Sequence, residues 1–332
     1  MRNKMRNRAL EILYRLYKFY FKNKKKEIEC ACNEFYHEEN ESQKARILKD
    51  MSFWYVKRNI SPKQYYEQSF DKLSDSAKKG MLPNSELVLF DRQYNPQKDI
   101  HIVGNKYECY ERFKEYYGRE CVLVKDPTTK DEAFEDFCLR RKKFVVKPLY
   151  NDSGVGVRLF TFGESDMPTR PFIAEEIIIQ SEALARFHPW SVNTLRINTI
   201  RCREQIVIWQ CILRFGRKEN MVDNAHFGGV FSVIDNEGNA IAAGDVHRNK
   251  YKVHPDTGAP LVGFKVPDWE QACVLVRDLA TQVGGLRFIG WDLAHTDKGW
   301  IIVEANTAPG ILPPMVTGVG VAKEFYDIKR KM

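Results

Sequence analysis

The sequence predicts an α+β fold preceded by a mainly helical amino-terminal segment, and three observations carry that expectation. The first 85 residues have the apolar spacing of helices, with no clear strand pattern. From residue 86 short strand-like runs alternate with helices, and beyond residue 172 the strands predominate. Neither the glycine fingerprint of a dinucleotide fold nor a G-x-x-x-x-G-K-[ST] loop occurs, which argues against a doubly wound parallel sheet. The expected organisation is a helical region over residues 1–85, a smaller subdomain with a lysine and a glycine loop over 86–175, and a carboxy-terminal subdomain with a cation site over 176–332.

Taken in order, residues 9–21 read as a helix with a broad apolar side and basic flanks. Two readings stand for it: a helix packed on the body with a solvated basic face, or a helix lying on an anionic membrane surface. Residues 41–57 form a second helix, broken at Asn59-Ile60-Ser61-Pro62 because the residue before proline is biased away from helix. Runs 87–90 and 101–103 are expected as strands, 106–117 as a helix stopping at Gly118, 122–124 as a strand and 130–141 as a helix. Strands follow at 144–147, 172–176, 193–203, 206–215 and 228–234. A helix at 268–283 precedes a hairpin of strands 289–294 and 300–304 around Thr296-Asp297-Lys298-Gly299.

The bulk composition narrows the class. A chain that is 43% hydrophobic and 29% charged is an ordinary globular one. No apolar run approaches the roughly 20 residues of a membrane-spanning helix. The amino terminus starts like a signal peptide, yet Tyr14, Arg15, Tyr17 and Lys18 interrupt the apolar stretch. The eight cysteines form no C-x-x-C pair, so reduced thiols and a cytoplasmic location are expected. The net charge of +8 is local: residues 1–26 hold ten basic side chains against Glu11 alone, leaving the remainder at about −1. A near-neutral body argues against nucleic acid as a partner.

The chemistry concentrates in two places. Asp292 lies on one strand of the hairpin, and Glu304 and Asn306 lie on the next. Residues two apart share a strand face, so two carboxylates and an amide oxygen converge at the strand ends. That hard-oxygen set suits Mg²⁺, although an ordinary hairpin with polar ends gives the same pattern. The strand 144–147 delivers Lys147 into Asn151-Asp152-Ser153-Gly154-Val155-Gly156, where glycines let backbone amides approach phosphate. Between them, Phe172-Ile173-Ala174-Glu175-Glu176-Ile177-Ile178 is an apolar strand carrying two acids. Arg196 stands inside the apolar run Leu195-Arg196-Ile197, either as a core ion pair or as a clamp on a transferring phosphoryl group.

These segments, in this order, resemble the ATP-grasp enzymes, and specifically the sugar-transfer-associated branch. The resemblance runs from about Gly104 to Gly310. It is carried by Gly104-Asn105-Lys106, Val146-Lys147-Pro148 with Ser153-Gly154-Val155-Gly156, and Glu175-Glu176-Ile177. Ser191 to Arg196, Asp223-Asn224 with Gly228-Gly229, and His254 to Gly258 continue it. Gly290-Trp291-Asp292 and Glu304-Ala305-Asn306-Thr307-Ala308-Pro309-Gly310 complete it, and that heptad is also similar to the end of the D-alanine–D-alanine ligases.

The resemblance implies ATP clasped between two α+β subdomains, the ATP-grasp fold. Lys106 and Lys147 would hold the α- and β-phosphates, with Ser153, Gly154 and Gly156 closing over them. Glu175 or Glu176 would lie near the adenine amino group, the backbone near Ile178 would meet adenine, and Glu182 would reach the ribose. Asp292, Glu304 and Asn306 would hold Mg²⁺, and Arg196 would steady the phosphoryl group. D-alanine ligases carry an arginine two residues before the metal-binding aspartate. Here that residue is Gly290, so Arg196 or Arg214 serves instead or the acceptor chemistry differs.

The implied activity is a carboxylate–amine ligase acting through an acyl phosphate on a sugar or polysaccharide precursor, small or lipid-linked; apart from the resemblance, the basic segment 1–26 suits peripheral contact with the inner membrane face. A kinase of a sugar or polyol hydroxyl keeps the same nucleotide site, and a non-catalytic adaptor is a third reading. Zinc at His247, His254, Asp245 and Asp256 is weaker than a polar loop rich in turn residues. His226 is expected to face the substrate.

Overall fold

The computed structural model describes residues 2–21, 24–149, 156–221, 223 and 228–332. It forms two compact units, residues 1–90 with 317–327 and residues 91–316 with 328–332. The first unit is helical: α1 (Arg2–Phe21), α2 (Lys24–Phe35), α3 (Glu41–Arg58), α4 (Pro62–Glu67) and α5 (Asp75–Gly80). Local chemistry sets these ends. Asn40 and Gln43 form a reciprocal capping box at the start of α3, and Asn59 closes it in the left-handed region at φ 58°. Ser61 then caps α4, whose first residue is Pro62. The core gathers Ile28, Met51, Trp54, Tyr65, Phe70 and Met81, all essentially solvent-free.

Helices α6 (Asn84–Tyr94), α7 (His101–Gly104), α8 (Lys106–Arg112) and α9 (Lys114–Tyr117) follow. Two strand expectations are corrected here, because 87–90 and 101–103 are helical. In 87–90 Leu87 and Phe90 are buried while Val88 and Leu89 face solvent, which is the three-residue step of a helix rather than the alternation of a strand. The helix expected over 106–117 is interrupted at Phe113 and stops at Gly118, φ 58°. A Cβ on Gly118 would lie 2.8 Å from Ile301, so both conformation and space require glycine.

The second unit contains two antiparallel sheets. The smaller joins β1 (Cys121–Val124), β2 (Lys143–Pro148), β3 (Arg158–Thr161) and β4 (Phe172–Glu175) in the order β1-β4-β2-β3. Helix α10 (Glu132–Arg140) covers it through Phe134 and Phe137, which meet Phe144, Phe160 and Phe172. The larger joins β5 (Thr194–Cys202), β6 (Gln205–Phe215), β7 (Val230–Ile234), β8 (Ala240–Gly244), β9 (Phe288–Thr296) and β10 (Gly299–Thr307) in the order β10-β9-β5-β6-β7-β8. Helix α11 (Glu182–Ala185) lies between β4 and β5. Helix α12 (Trp269–Gln282) packs Val276 and Leu279 into the core that holds Leu195, Leu213, Trp291 and Leu293. Helices α13 (Pro313–Thr317) and α14 (Ala322–Lys329) end the chain. Strands β3 and β8 carried no sequence expectation; β8 reads Ala-Ile-Ala-Ala-Gly, which lacks the β-branched density of a strand signal.

Candidate functional site

Strands β5, β9 and β10 align the charged residues on one face of the larger sheet. Arg196 on β5 is in register with Asp292 on β9, and Asp292 is in register with Glu304 on β10. The second pairing depends on a bulge. Register shifts between Ile302 and Glu304, so Val303 is extra and Glu304 is turned onto the face of Asp292. Asn306 stays on that face and donates from Nδ2 to Glu304 Oε1 at 3.2 Å, keeping its own oxygen available.

Asp292 is fully buried and held by two guanidiniums. Arg196 forms a bidentate pair with it, donating from Nε to Oδ1 and from Nη2 to Oδ2 at 2.6 Å. Arg214 donates to Oδ2 at 2.8 Å. Burial alone would raise the Asp292 pKa, but Arg196 and Arg214 outweigh it and hold the carboxyl at about 2. Glu304 moves the opposite way: burial first, and then the charge of Asp292, raise its pKa. One acid is thus ionised between arginines and its neighbour is driven toward the protonated form. Two crowded carboxylates with a free amide oxygen form a donor set that a divalent cation would relieve, so the residues fit Mg²⁺. Among the described residues, no three His, Cys, Asp or Glu side chains are grouped to hold a metal ion.

Arg214 also donates to Thr194 Oγ1, from Nη2 at 2.6 Å, and Thr194 donates from its hydroxyl and its backbone N–H to Asp223 Oδ2. Burial raises the Asp223 pKa despite Arg214.

A second network lies on the smaller sheet. Lys147 Nζ is 2.8 Å from Glu175 Oε2, and Arg119 reaches the same oxygen from Nη2 at 2.9 Å and from Nε at 3.0 Å. Burial opposes ionisation of Glu175, yet Arg119 and Lys147 hold its carboxyl below the usual range. Arg119 continues to the larger sheet, donating to the carbonyls of Ile302 at 2.6 Å and Val303 at 3.3 Å. Those carbonyls flank the bulge that aims Glu304. One buried guanidinium therefore joins the counterion of Lys147 to the backbone that positions Glu304. Sequence reasoning missed Arg119, because a basic residue after a helix-ending glycine carries no pattern of its own.

A cavity of about 440 Å³ brings most of the expected residues together. Lys106, Lys147, Glu175, Glu176 and Ile178 line it with Arg214, Asp292 and Glu304. Leu159, Ile177, Trp190 and Met221 supply apolar wall, and Trp190 is a lining residue without a sequence expectation. Glu176 accepts the N–H of Glu120 at 2.7 Å and pairs with Arg141. Lys106 and Asn306 share a small recess with Glu304. Glu182 is exposed in the first turn of α11 and does not line the cavity. Gly156, at φ 79°, instead lines a second cavity of about 420 Å³. Lys147, Arg158 and Arg170 also face this second space, with no carboxylate among its described lining residues. Ser153, Gly154, Asn224 and His226 lie outside the described residues.

The histidine-rich segment has structural partners. Asp245 accepts the N–H groups of His247 and Asn249 and the hydroxyl of Tyr251. His254 bonds the Gly216 carbonyl at 2.9 Å, and Asp256 pairs with Arg217 at 2.9 Å. At Gly290, a Cβ would lie 2.7 Å from Pro309 and 3.1 Å from Cδ of Arg196. The Arg196 side chain therefore packs directly against Gly290, where a larger residue would crowd it.

No curated protein matches the chain by sequence. Among solved structures, the ATP-grasp ligase PsnB complexed with a minimal precursor is 12% identical, with a TM-score of 0.42, over 72% of this chain and 63% of its own. The D-alanine–D-alanine ligase of Bacillus anthracis is 11% identical with a TM-score of 0.42, over 69% of this chain and 67% of its own. N5-carboxyaminoimidazole ribonucleotide synthetase of Thermotoga maritima is 12% identical with a TM-score of 0.39, over 69% and 49%. The chain thus covers less than two thirds of the first of these relatives. Residues 159–330, just over half of the chain, match the family described as sugar-transfer associated ATP-grasp. The match includes β5, β9 and β10 with Arg196, Asp292 and Glu304, and by it the chain belongs to the sugar-transfer associated ATP-grasp family.

Proposed function

We propose that this ATP-grasp chain is an ATP- and magnesium-dependent carboxylate–amine ligase that works through an acyl phosphate and modifies a sugar or polysaccharide precursor of the cell surface. The observation that carries the reading is the 440 Å³ cavity, which has lysines for phosphate on one side and the Asp292–Glu304 pair on the other. The sugar part follows the description of the family.

In this reading Lys106 and Lys147 hold the α- and β-phosphates, and Glu175 keeps Lys147 in place between them and Arg119. Adenine lies against the apolar wall near Ile177 and Ile178, with Glu176 near its amino group. Mg²⁺ held by Asp292, Glu304 and Asn306 would offset charge on the phosphates. Arg196 and Arg214 steady the transferring phosphoryl group; Arg196 takes the place of the arginine absent at Gly290. The acceptor is assigned to the second cavity, because Arg158 and Arg170 there suit an anionic group beside Lys147. A carboxylate oxygen displaces ADP from the γ-phosphorus. An amine then displaces phosphate from the acyl carbon and releases its proton to solvent. Exclusion of water and alignment of the two substrates supply most of the catalysis.

The test is ADP release from MgATP with pooled amino acids, uronic acids and nucleotide sugars, with and without hydroxylamine. Acceptor-dependent ADP together with a hydroxamate is the expected result. Acceptor-dependent ADP without hydroxamate would transfer the assignment to a hydroxyl kinase, and turnover insensitive to every pool would remove the ligase reading.

A further inference from the structure

Helix α1 packs through one face and turns a second, apolar face to water. Phe19 is buried against Tyr55, with ring centroids 6.4 Å apart, and Ile12 and Leu16 share that half-buried side. Leu10, Leu13, Tyr14, Tyr17 and Tyr20 are 51–68% exposed. On a helix of about 3.6 residues per turn these five follow i, i+3, i+4, i+7 and i+10, a stripe roughly 120° wide on the side away from Phe19. The expectation of a packed helix with a solvated basic face therefore describes only part of it: the solvated face is apolar, with cations at its edge and end.

A contiguous exposed apolar stripe marks an interaction surface. Charge identifies the partner. Residues 1–26 hold ten basic side chains, and their one acid, Glu11, is paired with Arg15 at 2.7 Å. Lys18 lies at the stripe's edge, its ammonium 5.2 Å from the Tyr14 ring centre, and Lys25 and Lys26 are exposed at the start of α2. A second copy of the helix would bring two strongly positive segments together, which their repulsion opposes. Three of the five stripe residues are tyrosines, whose apolar rings and polar tips suit the level of lipid headgroups. No helix among the described residues is long and apolar enough to cross a membrane.

We propose that α1 docks the protein on an anionic lipid bilayer, lying in the plane of the surface. The stripe of Leu10, Leu13, Tyr14, Tyr17 and Tyr20 enters the headgroup region, and Lys18, Lys25 and Lys26 meet lipid phosphates. This inference stands apart from the ligase reading and survives its failure.

The experiment is sedimentation of the full chain with phosphatidylcholine vesicles, with and without phosphatidylglycerol, over a salt series. The wild-type chain is expected to pellet with the anionic vesicles only and to be released by salt. Leu13→Asp/Tyr20→Asp should weaken binding by roughly tenfold or more, and Leu13→Ser/Tyr20→Ser should weaken it in the same direction. Thermal melting of both variants should match wild type, because the positions are exposed. Wild-type protein that ignores anionic vesicles, or variants that pellet as well as wild type, would overturn the proposal. So would a wild-type dimer that the variants convert to monomer, since the stripe would then be a self-interface.

Discussion

Asp292 and Glu304 are neighbours with opposite roles, and their substitutions should separate. Glu304→Gln removes a charge that burial already disfavours, so the fold should persist while MgATP turnover falls by about 10–100-fold. Steady-state ADP release with a parallel melting curve checks both halves, and full activity would remove Glu304 from the cation site. Asp292→Asn should abolish turnover outright, and it leaves Arg196 and Arg214 facing a neutral amide. Breaking such a buried pair costs about 3–5 kcal/mol, so a lowered denaturation midpoint is expected alongside lost activity. Lys147→Ala leaves Glu175 to Arg119 and should weaken binding of a non-hydrolysable ATP analogue by about tenfold or more in calorimetry. An unchanged affinity would count against the phosphate role.

The element that aims the site is the bulge in β10. If β10 paired regularly, with no bulge at Val303, alternation would set Glu304 opposite Trp291 and on the other face from Asp292, because Ile302 pairs with Leu293. Arg119 supplies hydrogen bonds to the carbonyls of Ile302 and Val303, so the smaller sheet and the bulge share one guanidinium. Arg119→Met should therefore lower kcat as well as raise the KM for ATP, through the positions of Glu304 and Lys147 together. Added guanidinium should recover part of both, whereas Arg119→Lys should not, since an ammonium cannot reach Glu175 and two carbonyls in one plane. A variant that loses stability alone, with kcat and KM intact, would make Arg119 purely structural.

For the whole molecule, the buried Glu175 network ties stability to acid pH. Its folded pKa lies below the ordinary 4.5, so its contribution is complete above that value and disappears as pH falls through the folded pKa. Glu175→Gln should lower the urea midpoint at neutral pH, where Arg119 and Lys147 lose their counterion. It should also flatten the decline in stability as pH is taken down toward about 3. Parallel slopes for variant and wild type would show that this carboxylate does not set the acid limb.

The sequence by itself determined the elements with strong local signals. Asn59 to Pro62 marks a helix end through backbone constraints that need no tertiary partner. The hairpin around Asp297 and Lys298, the strand ending near Lys147 and the helix over α12 were legible from period and turn chemistry. Residues 87–90 were misread because four consecutive apolar residues fit a strand and a helix equally, and only the neighbours decide which of them are buried. Tertiary structure alone decided how the charges combine. Arg196 and Arg214 both meet Asp292 because β5 lies beside β9 and β6 lies beside β5, although the two arginines are 96 and 78 residues from Asp292 along the chain. The bulge at Val303, the reach of Arg119 between sheets and the outward turn of the Leu–Tyr stripe on α1 follow from packing. Their physical cause lies in which surfaces meet, and local propensity does not encode that.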